Sequence, residues 1–154
     1  MTLPIAQEIA KEFALHFDHI GVVHICGSIR RGRPEVGDID AVVVPFDGQE
    51  TALNARLIEL FGTLKDKKKP ARSGLFRGAQ IDVLIANEQN IGTHLMHWTG
   101  SQQENVRLRG AAMSRGMKLS QLGCFYGEAN LAAGLDERGV YALLGVPYKE
   151  PCDR

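Results

Sequence analysis

No apolar run in the 154-residue chain approaches the length of a membrane span or a signal-peptide core, so a chain without anchor or leader, and a cytoplasmic location, are expected. Cysteine is scarce. Cys26, Cys124 and Cys152 show none of the close spacings of a metal site, and an odd, sparse set fits a reducing compartment. A surplus of either charge is missing too, because 18 Lys and Arg balance 18 Asp and Glu. Any affinity for a polyanion must therefore come from local patches rather than from overall charge. Internal repeats, low-complexity tracts and linkers are absent, which leaves one domain or two small packed lobes with length enough for a real core. The remaining balance, 23% charged and 44% hydrophobic, is that of an ordinary globular protein.

What is present is concentrated between Gly27 and Asp40, in Gly-Ser-Ile-Arg-Arg-Gly-Arg-Pro-Glu-Val-Gly-Asp-Ile-Asp. The β-branched run Val22, Val23 and Ile25 before it predicts a strand, with Gly21 marking the preceding turn. Gly27 and Ser28 let the backbone approach a ligand closely and turn into a short helical segment, whose exposed N–H groups attract phosphate oxygens. Arg30, Arg31 and Arg33 add cations, and a guanidinium fork matches phosphate better than an ammonium does. After Gly37, the run Asp38-Ile39-Asp40-Ala41-Val42-Val43-Val44 reads as a second strand. Residues two apart on a strand share a face, so Asp38 and Asp40 lie side by side while Ile39 enters the core. Two adjacent carboxylates repel unless a cation joins them. A hard divalent ion such as magnesium, which takes a couple of carboxylates plus substrate phosphates, meets that need. Alone, Asp-x-Asp at a strand start is as well read as a solvated edge. The Gly-Ser-x-Arg-Arg arm favours the metal reading, because it supplies the phosphate end of the same ligand.

Around this block, helices and strands alternate. Leu3 to Phe17 reads as a helix with an apolar stripe at Ile5, Ile9, Phe13 and Phe17. Pro45, Asp47 and Gly48 end the second strand with turn chemistry, and Thr51 to Phe61 forms a helix with Leu53, Leu57, Leu60 and Phe61 on one side. The basic run from Lys65 to Arg72 is either a solvated loop or edge, or a strip that follows a nucleic-acid backbone. Gln80 to Ala86 is a short strand with Asp82 near its start. Asn87 to Met96 is a helix with Ile91, Leu95 and His94 on the buried side; Gln102 to Arg115 is another, with Val106, Arg109 and Met113 on one face. Between them Trp98, the single tryptophan, reads as core, and Thr99-Gly100-Ser101 as a turn into a helix cap. Gly116 to Phe125 is strand and turn, and Asp136 to Leu144 is a last helix ended by Gly145-Val146-Pro147-Tyr148.

Three motifs occur in order: Gly27-Ser28 with Asp38 and Asp40, then Asp82 in a later strand, then His97-Trp98-Thr99-Gly100-Ser101. From about Gly21 to its end the chain resembles the DNA polymerase X family, the polymerase beta-like nucleotidyltransferases. The resemblance implies an α+β fold, with a nucleotidyltransferase palm over residues 1–97 (a mixed β-sheet with helices on one face) and a small α/β thumb over residues 98–154. It implies that Asp82 is the third carboxylate, so that Asp38, Asp40 and Asp82 are catalytic and hold two magnesium ions, or manganese in their place. Gly27, Ser28, Arg31 and Gly37 then belong to the nucleotide's phosphate site. His97, Trp98 and Gly100 stand where the family usually has Tyr-Phe-Thr-Gly-Ser, whose aromatic pair packs under the sugar of the incoming nucleotide. By spacing, Asn105 matches the thumb residue that contacts the incoming base, and Arg109 the one on the template strand. Lys67, Lys68 and Lys69 would lie on DNA.

Departures from the pattern are visible. Gln80 stands where relatives carry an arginine two residues before the third aspartate, and Val36 where a serine often touches the triphosphate. The His97-Trp98 pair replaces both aromatic residues, and a tryptophan in this region also occurs in the template-independent branch. What the resemblance implies is a DNA-directed DNA polymerase adding dNTPs to a primer 3′-hydroxyl by two-metal phosphoryl transfer. It would be a monomer acting on gapped or primed DNA away from membranes, filling short gaps in DNA repair. No counterpart of the family's lyase and fingers domains precedes the palm, so removal of 5′-deoxyribose phosphate is not expected. Three alternatives remain open: a minimal nucleotidyltransferase modifying a small molecule, a protein or tRNA; a template-independent terminal transferase; and a non-catalytic module that binds DNA ends.

Overall fold

The computed structural model describes residues 1–62 and 71–154, so Lys67, Lys68 and Lys69 lie outside the described residues. Among the described residues, no helix is long and apolar enough to cross a membrane. The chain forms two compact units, Met1–Ala86 and Asn87–Arg154. The division falls ahead of the expected boundary at residue 97, because the helix that contains His97 contributes Met96 to the second unit's core.

The first unit contains α1 (Leu3–Leu15), β1 (Gly21–Ile25), α2 (Gly27–Arg30), β2 (Ile39–Pro45), α3 (Glu50–Phe61), β3 (Arg72–Phe76) and β4 (Ala79–Ile85). The strands form one mixed sheet in the order β1-β2-β4-β3, with β2 and β4 parallel and both edges antiparallel. Strand alternation sends Ile39, Ala41 and Val43 of β2, with Ile81 and Val83 of β4, into one core together with α1 and α3. The opposite alternation sends Asp40 and Asp82 to the other face. Four phenylalanines knit the core: the Phe13 ring lies 5.0 Å from Phe17, 5.8 Å from Phe61 and 5.6 Å from Phe76, centroid to centroid.

Two expectations for this unit need correction. In α1 the buried stripe is Ala6, Ile9, Ala10 and Phe13, whereas Ile5 is 51% exposed. Spacing by four drifts around a helix of 3.6 residues per turn, and small alanines let the helix lie close to the sheet. Strand β3 was not legible either: Arg72 begins it rather than ending a basic run. Its Arg-Ser-Gly start has little β propensity. Positive φ at Arg77 and Gly78 closes it onto β4 as a two-residue hairpin. At Gly74 any side chain would collide with the Phe61 ring, which explains the glycine.

The second unit contains α4 (Ile91–Thr99), α5 (Gln102–Ser114), β5 (Lys118–Ser120), β6 (Gly123–Tyr126), β7 (Ala129–Asn130) and α6 (Glu137–Leu144), then a 3-10 turn at Pro151–Asp153. Its core gathers Met96, Leu108, Ala112, Leu119, Cys124, Val140, Tyr141 and Leu144. Ser101 caps α5 by accepting from Glu104 N–H, and Asp136 caps α6 by accepting from Gly139 N–H. The buried face of α5 is Glu104, Leu108 and Ala112; Val106 and Met113, expected together with Arg109, point to solvent. A buried glutamate had disguised that face. In α4, His94 is buried as expected, with Gly92, Thr93, Met96 and Thr99, while Ile91 and Leu95 are half-buried.

Polar groups stitch this core. Glu104, 4% exposed, accepts from Arg107, from the Tyr141 hydroxyl at 3.2 Å and from Lys149 at 3.3 Å. Those bonds hold its carboxyl below the usual glutamate range, Arg107 contributing most. Arg154 donates to Glu137 at 2.8 Å with both side chains buried, and its guanidinium lies 5.2 Å from the Tyr141 ring centroid. Removing one partner strands the other charge in a dry site. Glu137→Ala is therefore expected to destabilise the protein by about 3 kcal/mol or more. Glu150→Ala, which breaks the exposed Arg138–Glu150 pair, costs about 1 kcal/mol or less by the same urea titration.

Candidate functional site

The carboxylate cluster is a product of strand register. In the parallel pairing of β2 with β4, Asp40 lies directly opposite Asp82, on strands less than about 5 Å apart. Asp38 sits one residue ahead of β2, exposed, and its charge acts on Asp40. On the other side, β1 pairs antiparallel with β2 as far as Ile25 opposite Ala41, and Cys26 N–H extends the ladder by donating to Asp40 C=O at 2.8 Å. That bond delivers Gly27 and the start of α2 beside Asp40. Gly27 has φ +58°, and any side chain there would run into the Asp40 carboxylate. The glycine of Gly-Ser is thus required twice, by its backbone angle and by the carboxylate pressed against it.

The loop from α2 back to β2 is held from an unexpected quarter. Leu3 N–H donates to Pro34 C=O, Val36 N–H donates to Met1 C=O, and Thr2 bridges Glu35. Val36 is 1% exposed and belongs to the core, so it anchors the loop instead of facing a ligand.

Electrostatics follow from this crowding. Burial, then the charges of Asp38 and Asp82, push the Asp40 carboxyl up to about 7, and Arg31 opposes the rise. Arg31, the residue that follows α2 and caps it, is itself held below its ordinary range by burial and by Arg33, with Asp40 pulling the other way. Ser28 is half-buried on α2, and Gly37 is exposed just before Asp38. Gln80, two residues before Asp82 on the same face of β4, donates to Asp82 Oδ1 at 3.2 Å. Gln80 thus meets Asp82 from the position where the sequence departs from the family's arginine, as i, i+2 spacing on a strand allows. Among the described residues, no three side chains of His, Cys, Asp or Glu are drawn in far enough to enclose an ion. Gln80 occupies one oxygen of Asp82. The donor set is nevertheless oxygen only, and its one raised carboxyl is lifted by burial first and then by the charges of Asp38 and Asp82. That chemistry fits a hard divalent cation.

The second unit brings together the other predicted residues. The rings of His97 and Trp98 meet edge to face, 5.5 Å between centroids. Trp98 is half-buried rather than core, because its indole N–H donates to Gln121 Oε1 at 2.9 Å. Asn105 donates from its side chain to His97 C=O at 2.8 Å, across the turn at Gly100, which has φ +70°. Burial, then Arg109 and His94, hold the His97 imidazole below its usual range. Arg109 is exposed on α5.

The raised Asp40 carboxyl has a thermodynamic consequence. Its folded value of about 7 exceeds the unfolded value of 3.8, so between these pH values the native state binds more protons than the unfolded one. The metal-free protein loses stability as pH rises through that window. Removing the charge with Asp40→Asn should stabilise the chelator-treated protein by about 1–2 kcal/mol at pH 8 and by almost nothing at pH 4. Urea titrations at both pH values check this, and an equal difference at both would contradict it.

Comparison with known proteins finds DNA polymerases. The DNA polymerase beta thumb family matches residues 94–154. The Bacillus subtilis DNA polymerase/3′-5′ exonuclease PolX is 30% identical over 153 residues, spanning 97% of this chain and 27% of that protein. Rat DNA polymerase lambda is 24% identical over 159 residues, covering 84% and 28%. The chain thus spans little more than a quarter of these relatives' length. Among solved structures, the ternary P/T complex of Leishmania infantum polymerase beta shares the fold with a TM-score of 0.83 at 18% identity, over all of this chain and 76% of that one. Its ternary gap complex gives 0.81 over 70% of that chain. The thumb match over residues 94–154 and the sequence relatives thus make the chain similar to DNA polymerases of the X family, and its fold is that of polymerase beta.

Proposed function

We propose that the chain is a DNA-directed DNA polymerase that extends a primer 3′-hydroxyl with dNTPs, suited to short gaps. The observation that supports it best is the register that sets Asp40 beside Asp82, with Gly27 of the Gly-Ser turn against the same carboxylate. On this reading Met1–Ala86 serves as the nucleotidyltransferase palm and Asn87–Arg154 as the thumb. Asp38, Asp40 and Asp82 would hold two divalent ions, magnesium or manganese. When bound, these ions acidify the attacking hydroxyl and neutralise charge on the departing pyrophosphate.

The chain's own residues do the rest. Asp38 and Asp40 crowd negative charge at one end of β2, creating the demand for cations there, and Asp82 adds the third carboxylate from β4. Ser28 and the N–H groups that open α2 receive phosphate oxygens, and Arg31 stabilises charge that develops on them. Arg31 is well placed for this, because its charge already reaches Asp40. Gln80 gives Asp82 a neutral donor, so the charge on that carboxylate is less offset than an arginine would make it. His97 and Trp98 form the aromatic wall for the incoming nucleotide, Asn105 and Arg109 contact base and template, and Lys67, Lys68 and Lys69 meet the DNA backbone.

One gel tests the reading against its rivals. Gapped, primed and single-stranded DNA are each incubated with dNTPs and magnesium or manganese. Template-directed extension of gapped or primed DNA is expected, and Asp82→Ala is expected to abolish it while nucleotide binding persists. Residual turnover within about tenfold of wild type, a change of only about 1.4 kcal/mol in barrier, would contradict the role given to Asp82. Untemplated addition would instead favour a terminal transferase. No extension on any substrate would return the choice to a small-molecule, protein or tRNA nucleotidyltransferase, or to an end-binding module.

A further inference from the structure

Gln121 lies in the turn between β5 and β6, far from Trp98 in sequence, and it is tied to α4 at two points. Its backbone carbonyl accepts from Thr93 Oγ1 at 2.8 Å, and its side-chain carbonyl accepts from Trp98 Nε1 at 2.9 Å. Thr93 is 1% exposed, so the first tie fixes the turn against the helix. The second then fixes the indole against the turn. An indole N–H only donates, which settles that the oxygen of the Gln121 amide faces it. Trp98 also meets the His97 ring, and the His97 carbonyl is held by Asn105. Trp98 is therefore held by a ring contact and by a hydrogen bond that satisfies its one polar side-chain atom.

We propose that Gln121 is a positioning residue that sets the specificity of the site by locking the Trp98 indole in one orientation. The inference rests on the polymerase reading, in which Trp98 walls the incoming nucleotide. A half-buried indole can swing about two side-chain torsions, and a wall that swings separates a 2′-hydroxyl from a 2′-hydrogen less sharply than a fixed one. A hydrogen-bonded anchor in a neighbouring turn, itself pinned by Thr93, suppresses that motion. The chemistry that matters is an acceptor oxygen at this reach. Gln121→Glu retains one and keeps the lock, whereas Gln121→Met, of similar length, removes it.

Trp98 is the single tryptophan of the chain, so its fluorescence reports the ring without reference to activity. Gln121→Met should lower the emission anisotropy of the folded protein and shift the emission maximum. It should also reduce discrimination between dNTP and rNTP, as a ratio of kcat/KM values, by about threefold to tenfold, the scale of one neutral hydrogen bond. Gln121→Glu should restore both readouts. In a Trp98→Phe background, which lacks the donor, Gln121→Met should change discrimination no further. Wild-type anisotropy in Gln121→Met, an unchanged ratio, or an equal loss of discrimination in the Trp98→Phe background would each overturn the proposal. If the wild type extends no primer, the polymerase reading and the claim about discrimination fall together. The anisotropy of Gln121→Met still decides whether Gln121 locks the ring.

Discussion

Carboxylates that repel one another are held together here by backbone pairing, and the candidate site depends on that constraint. The parallel ladder between β2 and β4 puts Asp40 opposite Asp82, and one further backbone bond, from Cys26 to Asp40, brings the Gly-Ser turn to the same place. Ladder bonds are insensitive to side-chain charge, so the core can fix negative groups where their own energetics would disperse them. Ile39, Ala41, Val43, Ile81 and Val83 supply the apolar burial on the opposite face that keeps the register from slipping. A slip of either strand by one residue would turn its aspartate into the core. Burial, then the charges of Asp38 and Asp82, raise the Asp40 carboxyl in this arrangement.

Much of this could be read from the sequence, and what could not has physical reasons. The alternation Asp-Ile-Asp-Ala-Val-Val-Val marks both the strand and the face on which the carboxylates stand, because a period of two is unambiguous when one side is apolar. The turn at Thr99-Gly100-Ser101 into the cap of α5 was equally plain. By contrast, the partnership of Asp40 with Asp82 is a matter of strand order, which no local pattern encodes; only the family resemblance pointed to it. Strand β3 was hidden by an Arg-Ser-Gly start that has little β propensity but sits beside a strand needing a partner. In α5 the buried Glu104, satisfied by Arg107, Tyr141 and Lys149, reversed the face that Val106 and Met113 suggested.

The two departures from the family pattern at Gln80 and Val36 fare differently in the structure. Gln80 still reaches Asp82, as a neutral donor where a cation would offset more of the carboxylate's charge. Val36 is withdrawn into the core and pairs through its backbone with the first residues of the chain, which stiffens the loop between the Arg31 arm and Asp38. The third departure, His97-Trp98, comes with its own support in Gln121.

Whether the three aspartates act as one divalent-cation site is the central question. Titration of manganese into the folded protein, followed by the loss of the free-ion electron paramagnetic resonance signal, tests this without DNA or nucleotide. The wild type is predicted to take up manganese, and Asp40→Asn to bind it at least about tenfold more weakly. Equal affinity in the wild type and Asp40→Asn would contradict a shared carboxylate site.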